Sequence, residues 1–314
     1  MSQPNYSFPD VLPRRLNTLS YLSMFCYESG FENYVPRRAA PDGCNIDDPK
    51  TLNNLIRVSK FYEPNPKYLE LIQKNNFTIE MRKQLTEWMF EISDVCEEGV
   101  LPHAVNLLDR YLSKATVVSP RDDLQVIGAV CLFLASKLRE NQPLPVDRLC
   151  ESGSFSYTSK QVRSWELRIL NMLNWDTSAV LPHDLLDHFL HRLPIPDQVK
   201  SRVTYHARTL INMCCTEYMF LPHSSTMMAT GCLYDAIFAL GSKYMELRRT
   251  LPELMSHFVD INKDELAVIH SKVRTLIAAN RTDLPHVDVE PLQSREKSPG
   301  PMHTPKDLLE MEGC

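Results

Sequence analysis

Apolar side chains recur every three to four positions along most of this chain, the spacing that lines one face of a helix. From Thr78 the pattern is sustained: Met81, Leu85, Trp88, Met89, Ile92 and Val95 share a stripe, Thr78 can cap it, and Glu80 suits its first turn. The periodicity predicts helices over 79–97, 101–115, 120–139, 144–150 and 158–173. After Pro182, which suits a first helical position, a second set is predicted over 183–191, 196–217, 224–240, 246–257 and 263–279. The segment from Val126 to Ala135 is apolar nearly all round, which marks a central helix enclosed by its neighbours.

Each set places two helices before one rich in small and apolar residues, Gly128-Ala129-Val130-Cys131-Leu132 in the first and Thr230-Gly231-Cys232-Leu233 in the second. Short connections and the 3.6-residue period give an all-α fold of two stacked five-helix domains. A first domain over 49–178 begins with a short helix from Pro49 to Lys60, before Pro64-Asn65-Pro66 interrupts the chain, and a second covers 179–280. Residues 1–48 hold prolines and isolated charges without periodicity and are expected to form a flexible arm; residues 281–314, rich in Pro, Ser, Glu and Lys, are expected to form a disordered tail.

Composition narrows the function. With 9 glycines in 314 residues, phosphate-cradling loops are disfavoured, and no Gly-x-Ser-x-Gly elbow or P-loop occurs. A net charge of −5 and basic residues confined to doublets such as Arg14-Arg15, Arg37-Arg38 and Arg248-Arg249 give no footprint for nucleic acid. The nine cysteines are scattered and odd in number, which points to free thiols in a reducing compartment. The longest apolar run is too short to span a bilayer, and the arm lacks a signal-peptide core, so neither membrane nor secretion is expected. His183, His188 and His191 cluster without a completing Cys or acidic pattern, so no metal site and no catalytic residue is assigned.

One cation stands out. Arg82 lies beside the first apolar stripe and needs a carboxylate if buried, for which Asp109 in Val105-Asn106-Leu107-Leu108-Asp109-Arg110 is the candidate. Met81-Arg82, Trp88, Leu108-Asp109-Arg110, Ala135-Ser136-Lys137 and Glu166, in this order and at these spacings, resemble the cyclin box. Leu173-Asn174-Trp175 followed by Leu181-Pro182-His183-Asp184, with no Arg-x-x-Leu destruction box in the arm, resembles the D-type, or G1, cyclins in particular.

The resemblance implies two cyclin-box domains and a regulatory subunit that allosterically activates a G1-class cyclin-dependent kinase and directs it to retinoblastoma-type substrates. ATP and magnesium would belong to that partner, and no cofactor to this chain. Lys137 and Glu166 would reach backbone groups of a kinase helix, with Leu134, Leu138, Leu170 and Trp175 as apolar contacts; from the residues alone, Lys137 and Glu166 could equally pair with each other or be solvated. Met81, Gln84, Leu85, Trp88, Glu91, Leu124 and Gln125 would form a groove for Arg-x-Leu substrates and inhibitors, although Met81 and Trp88 could equally be core, and Gln84 stands where cyclins usually carry an apolar residue. Met24, Cys26 and Glu28 are similar to the Leu-x-Cys-x-Glu motif that docks on the retinoblastoma pocket. Thr304-Pro305, and secondarily Ser298-Pro299, are similar to tail phosphorylation sites read by a ubiquitin ligase, and the expected location is nucleus and cytoplasm. Two rival readings are an E- or A-type cyclin, in which Met24 to Glu28 is idle, and a cyclin-fold general transcription factor, which the acidic balance opposes.

Overall fold

Helices open where the sequence supplies caps. The computed structural model describes residues 42–74, 76–115, 124–152, 157–240 and 244–281. Among these every regular element is helical: α1 (Gly43–Asp47), α2 (Pro49–Ser59), α3 (Ile79–Ile92), α4 (Val100–Lys114), α5 (Leu124–Arg139), α6 (Val146–Ser152), α7 (Ser159–Met172), α8 (Pro182–Arg192), α9 (Asp197–Thr216), α10 (Ser225–Phe238), α11 (Met245–Ser256) and α12 (Lys263–Arg281). Thr78 Oγ1 accepts the amide of Met81 at 3.2 Å, Thr158 and Gln161 form a reciprocal capping box, and Ser224 caps α10. At α8 the Asp184 carboxylate accepts the Leu181 amide at 2.8 Å while Pro182 occupies the first turn.

Two cores result. In the first, α5 is enclosed by α3, α4 and α7; in the second, α10 is enclosed by α8, α9, α11 and α12. Each central helix carries one glycine at a close approach. A Cβ on Gly128 would lie 2.9 Å from Leu85 Cδ1, and one on Gly231 would lie 2.4 Å from Ile269 Cγ2. Alanine would gain about 1 kcal/mol in helix propensity at either site, against roughly 1–3 kcal/mol for overpacking. The outcome turns on the neighbour. Leu85 and Met89 present flexible ends to Gly128, whereas Ile269 is β-branched, fully buried and has nowhere to turn. Gly231→Ala is therefore expected to lower stability by about 1–2 kcal/mol, and Gly128→Ala by clearly less, in urea unfolding; the reverse order would mean that α12 can shift away from α10.

The boundary drawn at residue 48 needs correction. Residues 43–47 are helical: Asp42 caps α1 through the Cys44 amide, and the element is tied to the second domain by a 2.5 Å contact from His191 Nε2 to Asp47. The rest of the arm, including Met24, Cys26 and Glu28, lies outside the described residues, as do Ser298 and Thr304. A π-helical turn, Leu69–Gln73, also precedes α3 where the sequence pattern predicts no element.

Candidate functional site

Arg82 is the joint of the molecule. Its side chain and that of Asp109 are each 2% exposed, and they meet as a fork: Nε donates to Oδ1 at 2.9 Å and one terminal nitrogen to Oδ2 at 2.8 Å. The same guanidinium donates to the carbonyls of Thr216, at 2.8 Å, and Cys215, at 3.1 Å, so that it crosses from α3 to the end of α9. Tyr68, fully buried just before the π-helical turn, donates its hydroxyl to Asp109 at 2.8 Å, and burial beside that carboxylate holds its phenol well above the usual range.

The ends of α5 and α7 carry the candidate partner surface. Lys137 Nζ meets the Glu166 carboxylate directly and lies 4.4 Å over the Phe133 ring. Both charges remain accessible, and Leu138 beside them is 52% exposed. Leu170 is half-buried. Leu134 differs from expectation: it is 3% exposed and belongs to the first core, because α5 buries that side beneath its neighbours.

Beyond α7 the backbone does something unusual. Asn174 and Trp175 are consecutive non-glycine residues in the left-handed region, with φ of 55° and 60°. The turn is closed by the Trp175 amide donating to Leu170 O at 2.8 Å, and Arg110 pins the following strand of chain through the carbonyls of Asp176 and Ser178. This conformation costs roughly 1–2 kcal/mol per residue, less for Asn. What it achieves is display: Trp175 is 63% exposed, its indole held by a 3.1 Å bond to Asn171 Oδ1. Stepping back along α7 at four-residue spacing from Asn171 reaches Leu167, another exposed apolar side chain that the sequence pattern did not single out. Strained backbone of this kind clusters at functional sites. Trp175→Gly is expected to raise stability by about 1 kcal/mol in thermal unfolding while weakening partner binding at least about tenfold. Lower stability would show that the indole packs as a structural element.

The second candidate surface, on α3 and the start of α5, is thinner than the sequence suggests. Leu85 is fully buried against α5 and Trp88 nearly so, which corrects their placement as groove walls; Met81, Gln84, Glu91, Leu124 and Gln125 remain partly accessible. Gln84 donates to Glu80 at 3.2 Å, and partial burial raises the Glu91 carboxyl above its ordinary range.

The stretch between the two cores has its own polar network. The Arg139 guanidinium grips Asp184 with two bonds of 2.9 and 3.0 Å and donates from Nε to His103 Nδ1 at 3.0 Å. Since Nδ1 accepts, the ring proton sits on Nε2, which donates to Thr177 O at 2.8 Å. Burial, reinforced by Arg139, pushes His103 down to about 4. Its folded value lies below the 6.5 of the unfolded chain, so the unfolded state binds the extra proton between the two. The contribution of His103 is therefore complete above pH 6.5 and is lost as pH falls toward 4. His103→Gln keeps one donor and one acceptor without titrating, and is expected to flatten the decline of stability with acid across that window. An unchanged slope would place the titration elsewhere.

Two cores bridged by the buried Arg82, which forks onto Asp109 in the first and reaches the end of α9 in the second, are matched in sequence by the profile described as "Cyclin, N-terminal domain" over residues 50–178 and by "Cyclin, C-terminal domain" over residues 180–297. The chain belongs to the cyclin family. G1/S-specific cyclin-D3 of Homo sapiens is 36% identical to this cyclin over 91% of this chain and 98% of its own length. G1/S-specific cyclin-D2 of Xenopus laevis is 36% identical over 75% of this chain and 80% of its own. In fold, a viral cyclin from herpesvirus saimiri aligns with a TM-score of 0.58 at 24% identity, over 72% of this chain and 97% of that one. This cyclin is thus similar to D-type relatives along most of its length, and as a member of the family it is a regulatory subunit whose partner kinase performs the catalysis.

Proposed function

We propose that this cyclin activates a G1-class cyclin-dependent kinase through the surface of Lys137, Glu166, Leu138, Leu170 and Trp175, and so promotes passage from G1 to S. The observation that carries the reading is the exposed Trp175, held by a strained backbone in the turn that follows α7, the helix whose Glu166 pairs with the accessible Lys137. Apolar anchors of this kind supply most of the affinity of a protein interface, and a charged pair at its centre fixes register. Docked there, the kinase's regulatory helix is held inward, its catalytic Lys–Glu pair forms and its activation loop orders.

Substrate choice follows from the arm and the groove. Met24, Cys26 and Glu28 alternate onto one side of an extended segment, two apolar groups and one acceptor, the chemistry that engages a retinoblastoma-family pocket. Glu91 offers a carboxylate to the arginine of an Arg-x-Leu substrate or inhibitor, while the polar Gln84 weakens the leucine wall. Phosphorylation of Thr304 or Ser298 by a proline-directed kinase gives the tail a charged handle for a ubiquitin ligase, in a protein of nucleus and cytoplasm.

Reconstitution tests the reading: the purified chain is mixed with G1-class kinases and a retinoblastoma-type substrate, and phosphate transfer is followed with and without Met24→Lys. Activation of such a kinase by both chains, with the substrate rate falling only for the variant, is expected. Failure to activate any G1-class kinase would overturn the assignment, and equal rates would reduce it to kinase activation without pocket docking.

A further inference from the structure

Buried polar atoms nearly always find a partner, so those that do not are informative. Arg208 and Asn212 stand one turn apart on α9, which packs into the second core, and both line a cavity of about 200 Å³ between that helix and residues 90–101 of the first domain. The terminal nitrogens of Arg208 are engaged: one meets Glu98, and the other donates to Asp187 at 2.9 Å. These two contacts fix the plane of the guanidinium. Its Nε–H is buried without a hydrogen-bond partner, and so is Oδ1 of Asn212. A donor and an acceptor are therefore both unmet at positions four residues apart, where side chains are neighbours on one helix face. Phe90, Leu101 and Tyr205 give the cavity apolar and aromatic walls. An apolar cavity of about 150 Å³ takes up benzene, so this one has room for a ring of that size with a small polar head. A single water, with its share of about 30 Å³, would leave most of the space unfilled.

We infer that this cavity binds a small aromatic carboxamide, whose carbonyl accepts from Arg208 Nε while its NH₂ group donates to Asn212 Oδ1 and its ring lies against Phe90, Leu101 and Tyr205. The oxygen and nitrogen of one carboxamide are about 2.3 Å apart, so a single head group can serve two neighbouring side chains at once. The bond from Arg208 is charge-assisted and is the stronger of the two. Close analogues fit less well. A carboxylate has no donor for Asn212 and would meet the acidic side chains of Asp94 and Glu97, which also line the cavity. A ketone satisfies Arg208 and leaves Asn212 unmet, and an unpaired buried polar group is what gives such a site its selectivity. Since the walls come from both domains, an occupant ties residues 90–101 to α9 and stabilises the folded chain in proportion to its occupancy. None of the residues assigned above to kinase docking lines this cavity, so the site stands apart from the activation of a partner.

The test titrates the full chain with benzamide, benzoate and acetophenone, reading affinity by saturation transfer in ligand NMR and stabilisation by the thermal midpoint. Benzamide is expected to bind at least about tenfold more tightly than either analogue, and to raise the midpoint at concentrations where they do not. Asn212→Leu, close in size but without an acceptor, should bring benzamide down to the level of acetophenone. Arg208→Lys keeps a positive charge between Glu98 and Asp187 but has no Nε–H, and should weaken benzamide by at least about tenfold. Circular dichroism checks the fold of each variant; the comparison of probes on the parent chain needs no variant and decides the matter even if one misfolds. Equal binding of the three probes, or a benzamide preference that survives both substitutions, would overturn the site. Tighter binding of benzoate would show that Asn212 offers a donor to the cavity and would overturn the carboxamide as its ligand. Absence of saturable binding by any probe would mean that water alone serves the two atoms, and would overturn the inference as well.

Discussion

Replacing Arg82 by alanine is expected to destabilise the folded chain by roughly 3–5 kcal/mol, the range for breaking a buried pair from one side. The loss is large because one side chain serves several groups. Without it, Asp109 keeps, among the described residues, the Tyr68 hydroxyl as its one side-chain donor while its carboxylate stays buried, and the carbonyls of Thr216 and Cys215 lose a cationic donor. Replacing both partners, as in Arg82→Met with Asp109→Leu, removes the stranded charge and should recover a substantial part of the loss. Tyr68→Phe should cost only about 1 kcal/mol, the net value of one hydrogen bond. Chemical unfolding of the series checks the ranking; a loss below about 1 kcal/mol for Arg82→Ala would mean that water reaches the pair.

The second large effect concerns binding rather than folding. Lys137→Ala combined with Glu166→Ala should reduce kinase affinity by about 100-fold or more, since groups central to an interface dominate its energy. In the free cyclin these two side chains satisfy each other at the surface, with part of each in water. Such a pair is worth little to stability, so the melting temperature of the double variant should stay within about 2 °C of the parent. Calorimetric titration with the kinase, run beside a thermal scan, separates the two quantities. Parallel loss of fold and affinity would make the pair a structural clasp, and unchanged affinity would move the interface elsewhere.

Much of this was legible in the chain because helices announce themselves through period and caps. Thr78, Thr158 and Pro182 stand where helices begin, and Arg82 with Asp109 could be paired in advance because a charge on an apolar stripe has few chemical options. The pairing of Lys137 with Glu166 was one of the arrangements the residues allowed. Other features left no signal. The acceptors of Arg82 on α9 are backbone carbonyls, which every residue carries, so nothing in Cys215 or Thr216 advertises them. Tyr68 and the π-helical turn occupy a segment too short and too close to prolines for periodicity to register. Leu134 and Leu85 were misplaced for another reason: on helices packed from several sides, apolar character cannot tell a residue facing a neighbouring helix from one facing an absent partner. The displayed Trp175 depends on two consecutive positive φ angles, one at Asn174, which tolerates the conformation, and one at Trp175 itself, which usually avoids it.

The fork of Arg82 reaches from the first core to the second, and Arg139 does the same through Asp184. Neither core can open without stripping the buried Arg82 and the half-buried Arg139 of partners across the junction, so heating should produce one calorimetric transition, with van't Hoff and calorimetric enthalpies in agreement. The amides with the strongest hydrogen-exchange protection should accordingly fall in α5 and α10 with a shared opening free energy. A fragment cut between residues 178 and 180 should yield two poorly soluble halves rather than two independent modules, and a cellular unfoldase that starts at either terminus would meet a single barrier and then run through the whole chain.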